Sequence, residues 1–349
     1  MESQKNARFS REMTQTFCKL SYTRYSRRFR VPVKTSRGIA ETREGILVSL
    51  ENARTPPVKT EIAPWSGFGC ETLDEAEKAL SEIAEKPFPV ETIPEITKHI
   101  SNLPCTCHAL SAAHFLWENP KAIMSSEPSA SRVCKLILRD SAAEPEAVFE
   151  QILRSREKGY RTFKIKIGLC TLNEEIRFAE KLLALAKTSS PETKIRLDAN
   201  GAWNHRAALT ALASLNAFPQ LEFIEQPLAA SPENDAAVYA LPPLDAKKIA
   251  LDESLREPWE MPTGTLVVAI VKPLLIGNFP RLRTWLLAEK NAPRFVISSV
   301  FETEVGRIIL RELCSSTRNN PRALAAGIAT QHSYAQSPQI KNCYQKHPR

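Results

Sequence analysis

The sequence predicts an α/β protein in which a TIM-like barrel of the (β/α)7β type follows a smaller α+β domain. Between about residue 131 and residue 330, short apolar runs rich in β-branched residues alternate with helix-like stretches. The runs recur every roughly 20–33 residues, a period typical of the strand–helix units that build a parallel sheet. Residues 13–130 lack this alternation, and 349 residues are enough for both domains.

The barrel prediction depends on strand-like runs separated by helical patterns. The runs are RVCKLIL, TFKIKIG, KIRLDANG, LEFIEQPL, KIALDESL, LVVAIVKPL, RFVISSVFE and ALAAGIAT. Stretches such as EPEAVFEQILRSREKG, NEEIRFAEKLLALAK and HRAALTALASLNA repeat apolar residues at helical spacing. Eight parallel strands can close into a barrel of about 200 residues, which we assign to residues 131–330. The polar residues 331–349 are predicted to form a C-terminal tail.

The first domain, residues 13–130, has strands followed by helices. EGILVSLEN and VKTEIAP read as strands, whereas TLDEAEKALSEIAEK and ISNLPCTCHALSAAHFLWEN read as helices. Thr72, with Glu75 three residues later, predicts the N-terminal cap of the first helix. The proline-rich EKPFPVETIPE is predicted to be a connector inside this domain.

The net charge of +8 comes mostly from the N-terminus, because residues 1–45 contain 11 Lys/Arg and 4 Asp/Glu. The basic and aromatic segment YTRYSRRFRVPVKTSRG could contact nucleic acid, but no nucleic-acid-binding motif accompanies it. A mobile arm or a loop that meets an anionic small molecule explains the same residues, so we expect no nucleic-acid partner. No run approaches the roughly 18 apolar residues of a membrane span, and we expect no membrane partner.

The eight cysteines contain no C-x-x-C pair. CTCH at 105–108 lacks a second Cys/His cluster at zinc-site spacing. We therefore predict reduced thiols in a cytoplasmic protein. The oligomeric state stays open.

Three consecutive runs end in an acid: Asp198, Glu225 and Asp252, spaced 27 residues apart. In a barrel, the carboxyl ends of the strands meet at one mouth, where active sites form. Crowded carboxylates repel one another unless a cation holds them. Oxygen ligands with open positions suit Mg²⁺ or Mn²⁺ better than zinc. The sequence therefore predicts a divalent metal site.

Lysines flank these acids along the chain. Lys164 and Lys166 lie two residues apart and point to the same face of a strand, and Lys272 ends the sixth run. A solvated edge strand or a structural ion pair would explain the lysines alone. Charged positions at the mouth ends of five successive apolar runs instead favour an active site, because buried charges without a function would destabilise the barrel.

KIKIG, RLDANGAW, FIEQPL, LDESLREP, VKPLLIG and ISSVFE occur in the order and spacing of the enolase superfamily. The chain resembles its muconate-lactonising subgroup from about residue 17 to residue 330, and EIAPWSGFGCET and TREGILVSL resemble the subgroup's capping domain. One departure is GIAT at 327–330, where the subgroup usually has a Gly-Leu-Asp-Thr-like turn.

The resemblance implies an Mg²⁺ or Mn²⁺ ion on Asp198, Glu225 and Asp252. Its role in the subgroup is to stabilise the enediolate that forms when the carbon beside a carboxylate loses its proton. Lys166 would be the general base and then the proton donor to a departing hydroxyl. Lys164 would favour neutral Lys166 by like-charge repulsion, and Lys272 would stabilise the enediolate as a cation.

LDESLREP and GFGCET favour one reaction within the subgroup. The reaction that the resemblance implies is the syn dehydration of 2-succinyl-6-hydroxy-2,4-cyclohexadiene-1-carboxylate in menaquinone biosynthesis, catalysed by a carbon–oxygen lyase that acts on a small carboxylate. The alternative is racemisation of N-acylamino acids or epimerisation of dipeptides. A base on each face of the substrate would permit removal and return of the proton.

Candidate substrate contacts lie at the same end of the strands. Asn200 is either a substrate contact or a turn residue. Ser298 and Ser299 end the seventh run and could donate to the succinyl carboxylate or cap the next element. Gly327, in the divergent GIAT turn, is a further candidate.

Overall fold

The computed structural model of the protein describes residues 16–35, 38–65, 68–255, 257–288, 292–330 and 333–335. Of the predicted tail, only 333–335 fall among them, and the first three residues of the predicted N-terminal domain lie outside. The described chain contains one four-stranded sheet and one seven-stranded sheet.

The N-terminal sheet is antiparallel and has the order β3-β2-β1-β4. Its strands are β1 (Phe17–Thr35), β2 (Gly38–Glu51), β3 (Val58–Ile62) and β4 (Phe88–Pro89). The prediction of a mobile arm or loop for the basic segment is wrong, because that segment forms most of β1 and pairs with β2. Its tyrosines, phenylalanine and valines favour a strand, and its basic side chains stand among them on the pleated surface.

Three helices follow: α1 (Leu73–Ile83), α2 (Ile93–His99) and α3 (Pro104–Glu118). The predicted cap of α1 is confirmed, since the Glu75 amide donates to Thr72 Oγ1 at 3.2 Å and the Thr72 amide donates to the Glu75 carboxylate at 2.7 Å. The proline-rich segment is not simply a connector. It forms β4, a 3₁₀ turn (Val90–Thr92) and the start of α2, because proline is tolerated in the first turn of a helix.

The seven-stranded sheet is parallel, and its strands neighbour one another in chain order. They are β5 (Cys134–Ile137), β6 (Thr162–Lys166), β7 (Lys194–Asp198), β8 (Leu221–Glu225), β9 (Ile249–Leu251), β10 (Val268–Val271) and β11 (Phe295–Ile297). Seven of the predicted runs thus form one sheet. Such consecutive parallel order follows from strands joined by crossover helices.

The eighth run lies against both edges of this sheet. Parallel bridges join Ala323 to Phe295 and Gly327 to Ser298 on one side, and Ala326 to Val133 on the other. The amide of Gly327 donates to the Ile297 carbonyl at 2.8 Å, and the Cys134 amide donates to the Ala326 carbonyl at 2.8 Å. The segment 323–327 therefore connects β11 to the start of β5.

Helices surround the parallel sheet. They are α4 (Pro145–Glu157), α5 (Leu172–Ser189), α6 (His205–Leu215), α7 (Pro232–Tyr239), α8 (Pro243–Ala246), α9 (Pro273–Ile276), α10 (Phe279–Leu287) and α11 (Arg307–Ser316). The three helical stretches predicted from periodicity correspond to α4, α5 and α6. The loop after β9 holds a 3₁₀ turn (Pro258–Glu260). Among the helices described, none has the length and apolar character needed to cross a membrane.

A small apolar cluster fills the inside of the barrel. It consists of Phe223, Ala250, Val268, Ile270 and Val296. Because side chains two residues apart on a strand share a face, the next inward positions toward the carboxyl ends of β8, β9 and β10 are Glu225, Asp252 and Lys272. The strand period therefore directs these charges toward the barrel mouth.

The N-terminal domain contacts the barrel through α3 and β3. The Phe279 amide of α10 donates to Ser111 Oγ of α3 at 3.1 Å. Glu61 of β3 accepts from the Thr303 amide at 2.9 Å and from the Gly306 amide at 3.0 Å, just before α11 begins. These contacts hold the N-terminal domain beside the carboxyl ends of β10 and β11.

Candidate active site

The predicted carboxylates lie together at the mouth end of three neighbouring strands. Lys166, Asp198 and Glu225 are in register across β6, β7 and β8, and Asp252 directly follows β9. Only 7%, 2% and 7% of the surfaces of Asp198, Glu225 and Asp252 are exposed. Buried carboxylates so close together require compensating positive charge.

Lys164 supplies part of that charge. Its Nζ lies 2.8 Å from Asp198 Oδ2 and 3.0 Å from Glu225 Oε1. Burial on its own would lower the pKa of Lys164, but the charges of Asp198, Glu225 and Asp252 raise it well above its usual value. The raised pKa favours the charged form of Lys164, which lies two residues before Lys166 in β6.

Lys272 compensates the third carboxylate. Its Nζ lies 2.5 Å from Asp252 Oδ1 and 2.7 Å from Oδ2, and 4.4 Å from the ring centre of Phe68. Phe68 belongs to the loop before α1, so the N-terminal domain forms part of the wall of the site. A cavity of about 20 Å³ adjoins these residues and Glu253.

Two acids of the site bind protons more readily than usual. Burial raises the pKa of Glu225 to about 8, with Lys164 opposing the shift and Asp198 adding to it. Burial and the charge of Asp252 raise the pKa of Glu253. A divalent cation among these groups would lower both pKa values, because it favours the charged form.

Lys166 differs from the other two lysines. Within the described residues, its ammonium group makes no ion pair and no hydrogen bond. Its backbone is held, since the Arg139 Nε donates to its carbonyl at 2.8 Å and Arg139 forms a buried ion pair with Glu175. The chain thus fixes the position of Lys166 and leaves its amine available for a substrate.

The donor set fits a hard divalent cation in chemistry: carboxylate oxygens on adjacent strands, buried and close to a cavity. In the part of the chain that is described, no three Asp, Glu, His or Cys residues surround a common point as metal ligands would. Lys164 and Lys272 make ion pairs with the carboxylates instead.

Asn200 lies in the loop after β7. Its φ of 46° is in the left-handed region, which asparagine tolerates better than most residues. Its amide donates to Asp198 Oδ1 at 3.1 Å, and its side-chain Nδ2 lies 3.5 Å from Glu253 Oε1. Asn200 therefore orients Asp198 and reaches the loop after β9.

Gln226 was missed in the sequence. It has a φ of 40°, its residue surface is 1% exposed, and its Oε1 accepts from the Asp252 amide at 2.8 Å. Its Nε2 donates to the Leu228 carbonyl at 2.8 Å and to Ser254 Oγ at 2.8 Å. Gln226 thus fixes the loop that carries Asp252. The signal was its position directly after Glu225.

The candidate substrate residues at β11 have different surroundings. The Ser299 hydroxyl bonds to the Glu302 carboxylate, lies 2.8 Å from Thr330 Oγ1 and accepts from the Phe301 amide at 2.9 Å. Ser298 is partly exposed and faces Gly327, where a Cβ atom would stand 3.1 Å from Ser298 Oγ. The structure therefore leaves Ser298 more accessible than Ser299.

Known proteins share this sequence and fold. The family model described as enolase C-terminal domain-like matches residues 147–264. An o-succinylbenzoate synthase of Thermosynechococcus vestitus is 30% identical over 298 residues, covering 83% of this chain and 86% of that protein. An o-succinylbenzoate synthase of Vibrio cholerae is 30% identical over 275 residues, covering 76% of this chain and 75% of that protein.

Solved structures share the fold of this chain. A crystal structure of o-succinylbenzoate synthase from Thermosynechococcus elongatus, with magnesium in its active site, matches with a TM-score of 0.72 and 26% identity over 92% of this chain and 95% of that one. A dipeptide epimerase from Methylococcus capsulatus, in complex with magnesium and L-Arg-D-Lys, gives a TM-score of 0.71 and 16% identity over 92% of each chain. At that identity the epimerase shares the fold alone.

The fold is a TIM-like barrel with an N-terminal capping domain, the architecture of the enolase superfamily. Within that superfamily, the chain belongs to the o-succinylbenzoate synthase family. The predicted resemblance and the predicted function as a lyase of this family are confirmed.

Proposed function

We propose that this chain converts 2-succinyl-6-hydroxy-2,4-cyclohexadiene-1-carboxylate to o-succinylbenzoate and water with Lys166 as the base. The observation that carries the proposal is the placement of the lysines. Lys166 ends β6 in register with Asp198, and Lys272 follows β10, with three strands between them. A planar substrate between them meets an amine on one face and an ammonium group on the other.

Asp198, Glu225 and Asp252 would hold the Mg²⁺ or Mn²⁺ ion, which when bound would neutralise negative charge that develops on the substrate carboxylate. The magnesium of the related synthase structure supports this assignment. Asn200 and Gln226 would keep Asp198 and Asp252 oriented through their backbone and side-chain contacts.

Lys166 would remove the proton from the carbon beside the carboxylate. The resulting ammonium of Lys166 would then give the proton to the hydroxyl that leaves from the same face as water. Lys272, held by Asp252, would stabilise the developing negative charge from the opposite side.

Ser298 and Gly327 are proposed to border the succinyl end of the substrate, with Ser299 behind them. We also propose the finer architecture: a (β/α)7β barrel over residues 131–330, a capping domain over 13–130 and a tail over 331–349. The bridges of segment 323–327 and the 3₁₀ turn Ala130–Arg132 before β5 support these limits. A cytoplasmic location remains a prediction.

The test is a direct assay of purified protein with the cyclohexadiene acid, followed by the absorbance of the aromatic product. An N-acylamino acid and a dipeptide are offered in parallel in deuterated water. We expect rapid dehydration of the cyclohexadiene acid and slower or no α-proton exchange of the N-acylamino acid and the dipeptide. Efficient exchange with no dehydration would instead identify a racemase or epimerase.

A further inference from the structure

A small cavity lies between the capping domain and the barrel, lined by residues other than those of the metal and lysine site. Thr60, Glu61 and His108 line it from the capping domain, and Glu302 and Gly306 from the barrel. The centre of a water molecule can move over about 10 Å³ inside it. That is the size of a site for one water molecule.

Three buried polar atoms of this lining have no hydrogen-bond partner among the described residues. They are Thr60 Oγ1, His108 Nδ1 and Glu302 Oε1. Only 3%, 4% and 3% of the surfaces of Thr60, His108 and Glu302 are exposed. Buried polar atoms in folded proteins are nearly always paired, so three such atoms around one cavity need a common partner.

The chemistry of the three atoms defines that partner. The other ring nitrogen of His108 bonds to the Gly277 carbonyl, and burial lowers the pKa of His108 to about 4, so Nδ1 is an acceptor on a neutral ring. Glu302 Oε1 is a second acceptor, and the Thr60 hydroxyl can donate. The partner must donate twice and accept at least once.

Glu61 also lines the cavity, but its carboxylate already has hydrogen-bond partners. Its carboxylate accepts from the Tyr25 hydroxyl, from the amide and hydroxyl of Thr303, and from the Gly306 amide. These hydrogen bonds attach β3 to the barrel residues beside the cavity and thereby stabilise the shape of the cavity.

We propose that this cavity binds one water molecule, which donates to His108 Nδ1 and Glu302 Oε1 and accepts from the Thr60 hydroxyl. It gives a function to the histidine of the CTCH motif, in which Cys105 and Cys107 are buried free thiols. The water joins two elements of the capping domain, β3 and α3, to the loop after β11.

From Glu302, the hydrogen bonds continue toward the mouth of the barrel. The second oxygen of Glu302 accepts from the Ser299 hydroxyl and, at 3.0 Å, from the Val300 amide. Ser299 adjoins Ser298, which the proposed function places at the succinyl end of the substrate. This step rests on the proposed function. In it, Thr60, His108 and Glu302 act as positioning residues for Ser298 and Ser299, which directly follow β11.

The direct test is a crystal structure of the full chain at a resolution that shows ordered water. We expect one water molecule within hydrogen-bonding distance of Thr60 Oγ1, His108 Nδ1 and Glu302 Oε1. A dry cavity, a metal ion in it, or direct bonds among the three side chains would overturn the proposal.

A double-mutant cycle tests whether Thr60 and Glu302 are coupled through the water molecule, without any assay of activity. Thr60→Val removes the hydroxyl at constant shape, and Glu302→Gln weakens one acceptor on the opposite domain. Each should lower the unfolding midpoint by about 2 °C or more, and the double variant should fall by clearly less than their sum. The control is Thr97→Val, a buried threonine whose hydroxyl bonds to the Pro94 carbonyl outside the cavity. Additive shifts for Thr60 and Glu302 would contradict a shared water.

Kinetics separates positioning from mere stability. Thr60→Val should raise KM for the cyclohexadiene acid by about 3- to 10-fold, with a smaller change in kcat, and Thr60→Ser should restore KM. A KM equal to that of the Thr97→Val control would remove the positioning role. The two proposals can fail separately. If the wild-type protein shows the water and the coupling but does not turn over this acid, the proposed function is wrong and the water site stands.

Discussion

The Lys164 ammonium group lies 2.8 Å from Asp198 Oδ2 and thereby neutralises a carboxylate that we assign to the metal ion. The same group lies 3.0 Å from Glu225. Lysine and metal therefore compete for the same two carboxylates, and a bound divalent cation must share them with Lys164 or displace it. This competition sets opposite expectations for variants of the carboxylates and of the lysine.

Asp198→Asn, Glu225→Gln and Asp252→Asn should each weaken Mn²⁺ binding by about 10-fold or more, because each removes a charged oxygen ligand. Lys164→Met should instead strengthen it, since the ion no longer approaches a fixed positive charge. The measurement is Mn²⁺ titration by calorimetry at constant pH. Lys187→Met, on the exposed side of α5, is the matched control for loss of a lysine. Equal affinities in all variants would contradict the metal assignment.

Much of this site could be predicted from the sequence because its residues follow strands. A buried strand fixes the direction of its side chains by a period of two, so the sequence alone places Asp198, Glu225 and Lys272 at one mouth of the barrel. The helices α4, α5 and α6 were predictable for a similar reason, since their periodicity is local.

Other features depend on contacts between distant residues. The residues of β1 are compatible with a strand, but its pairing with β2 depends on a segment that follows it in the chain and could not be inferred from its own charge. Gln226 acts through an amide 26 positions later, at Asp252. The hydroxyl of Ser299 is engaged by Glu302 and Thr330, a partnership that arises only where the loop after β11 meets the eighth run.

Lys166→Ala should lower the rate of dehydration by about 10²–10⁴-fold, because the reaction loses both its base and its proton donor. Lys166→Arg, which keeps the positive charge and has no accessible neutral form, should be equally impaired. The measurement is kcat with the cyclohexadiene acid at saturating Mg²⁺. Near-normal turnover by Lys166→Ala would remove the base assignment, whatever the substrate.

Lys272→Ala should also slow dehydration, but for a different reason. It removes a cation that stabilises developing charge, and a syn elimination still has its one acid–base group in Lys166. We therefore expect Lys272→Ala to retain exchange of the α-proton of the cyclohexadiene acid with deuterated water, whereas Lys166→Ala loses it. The measurement is mass spectrometry of the recovered substrate. Loss of exchange in both variants alike would indicate a two-base reaction, as in an epimerase.

Gln226→Leu should weaken Mn²⁺ binding by about 10-fold although Gln226 is not among the assigned ligands. The substitution leaves the Asp252 amide without its partner and frees the loop that positions Asp252 and Ser254. The control is Gln220→Leu, also buried, whose Nε2 bonds to the Pro191 carbonyl at the amino end of the barrel. Affinity should stay at the wild-type value in Gln220→Leu even where stability falls. Equal loss of affinity in the two variants would assign it to general destabilisation.

His108 should make the fold less stable in mild acid. Its pKa is lowered by burial to about 4 in the folded protein, against a value of 6.5 for the unfolded chain. Between pH 4 and 6.5 the unfolded state therefore binds more protons than the folded state, so the free energy of unfolding increases with pH over this range. Acidification from above pH 6.5 to below pH 4 would lower the free energy of unfolding by about 3 kcal/mol through this one group.

The measurement is the free energy of unfolding in urea at several values between pH 5 and 7.5, for wild type and His108→Gln. Glutamine does not titrate, so the variant should be less stable at pH 7.5 yet lose less stability on acidification than wild type. The control is His205→Gln, which removes an exposed histidine at the start of α6, away from the cavity. Parallel curves for wild type and His108→Gln would show that His108 is not held neutral by burial. They would also remove the acceptor at Nδ1 on which the bound water depends.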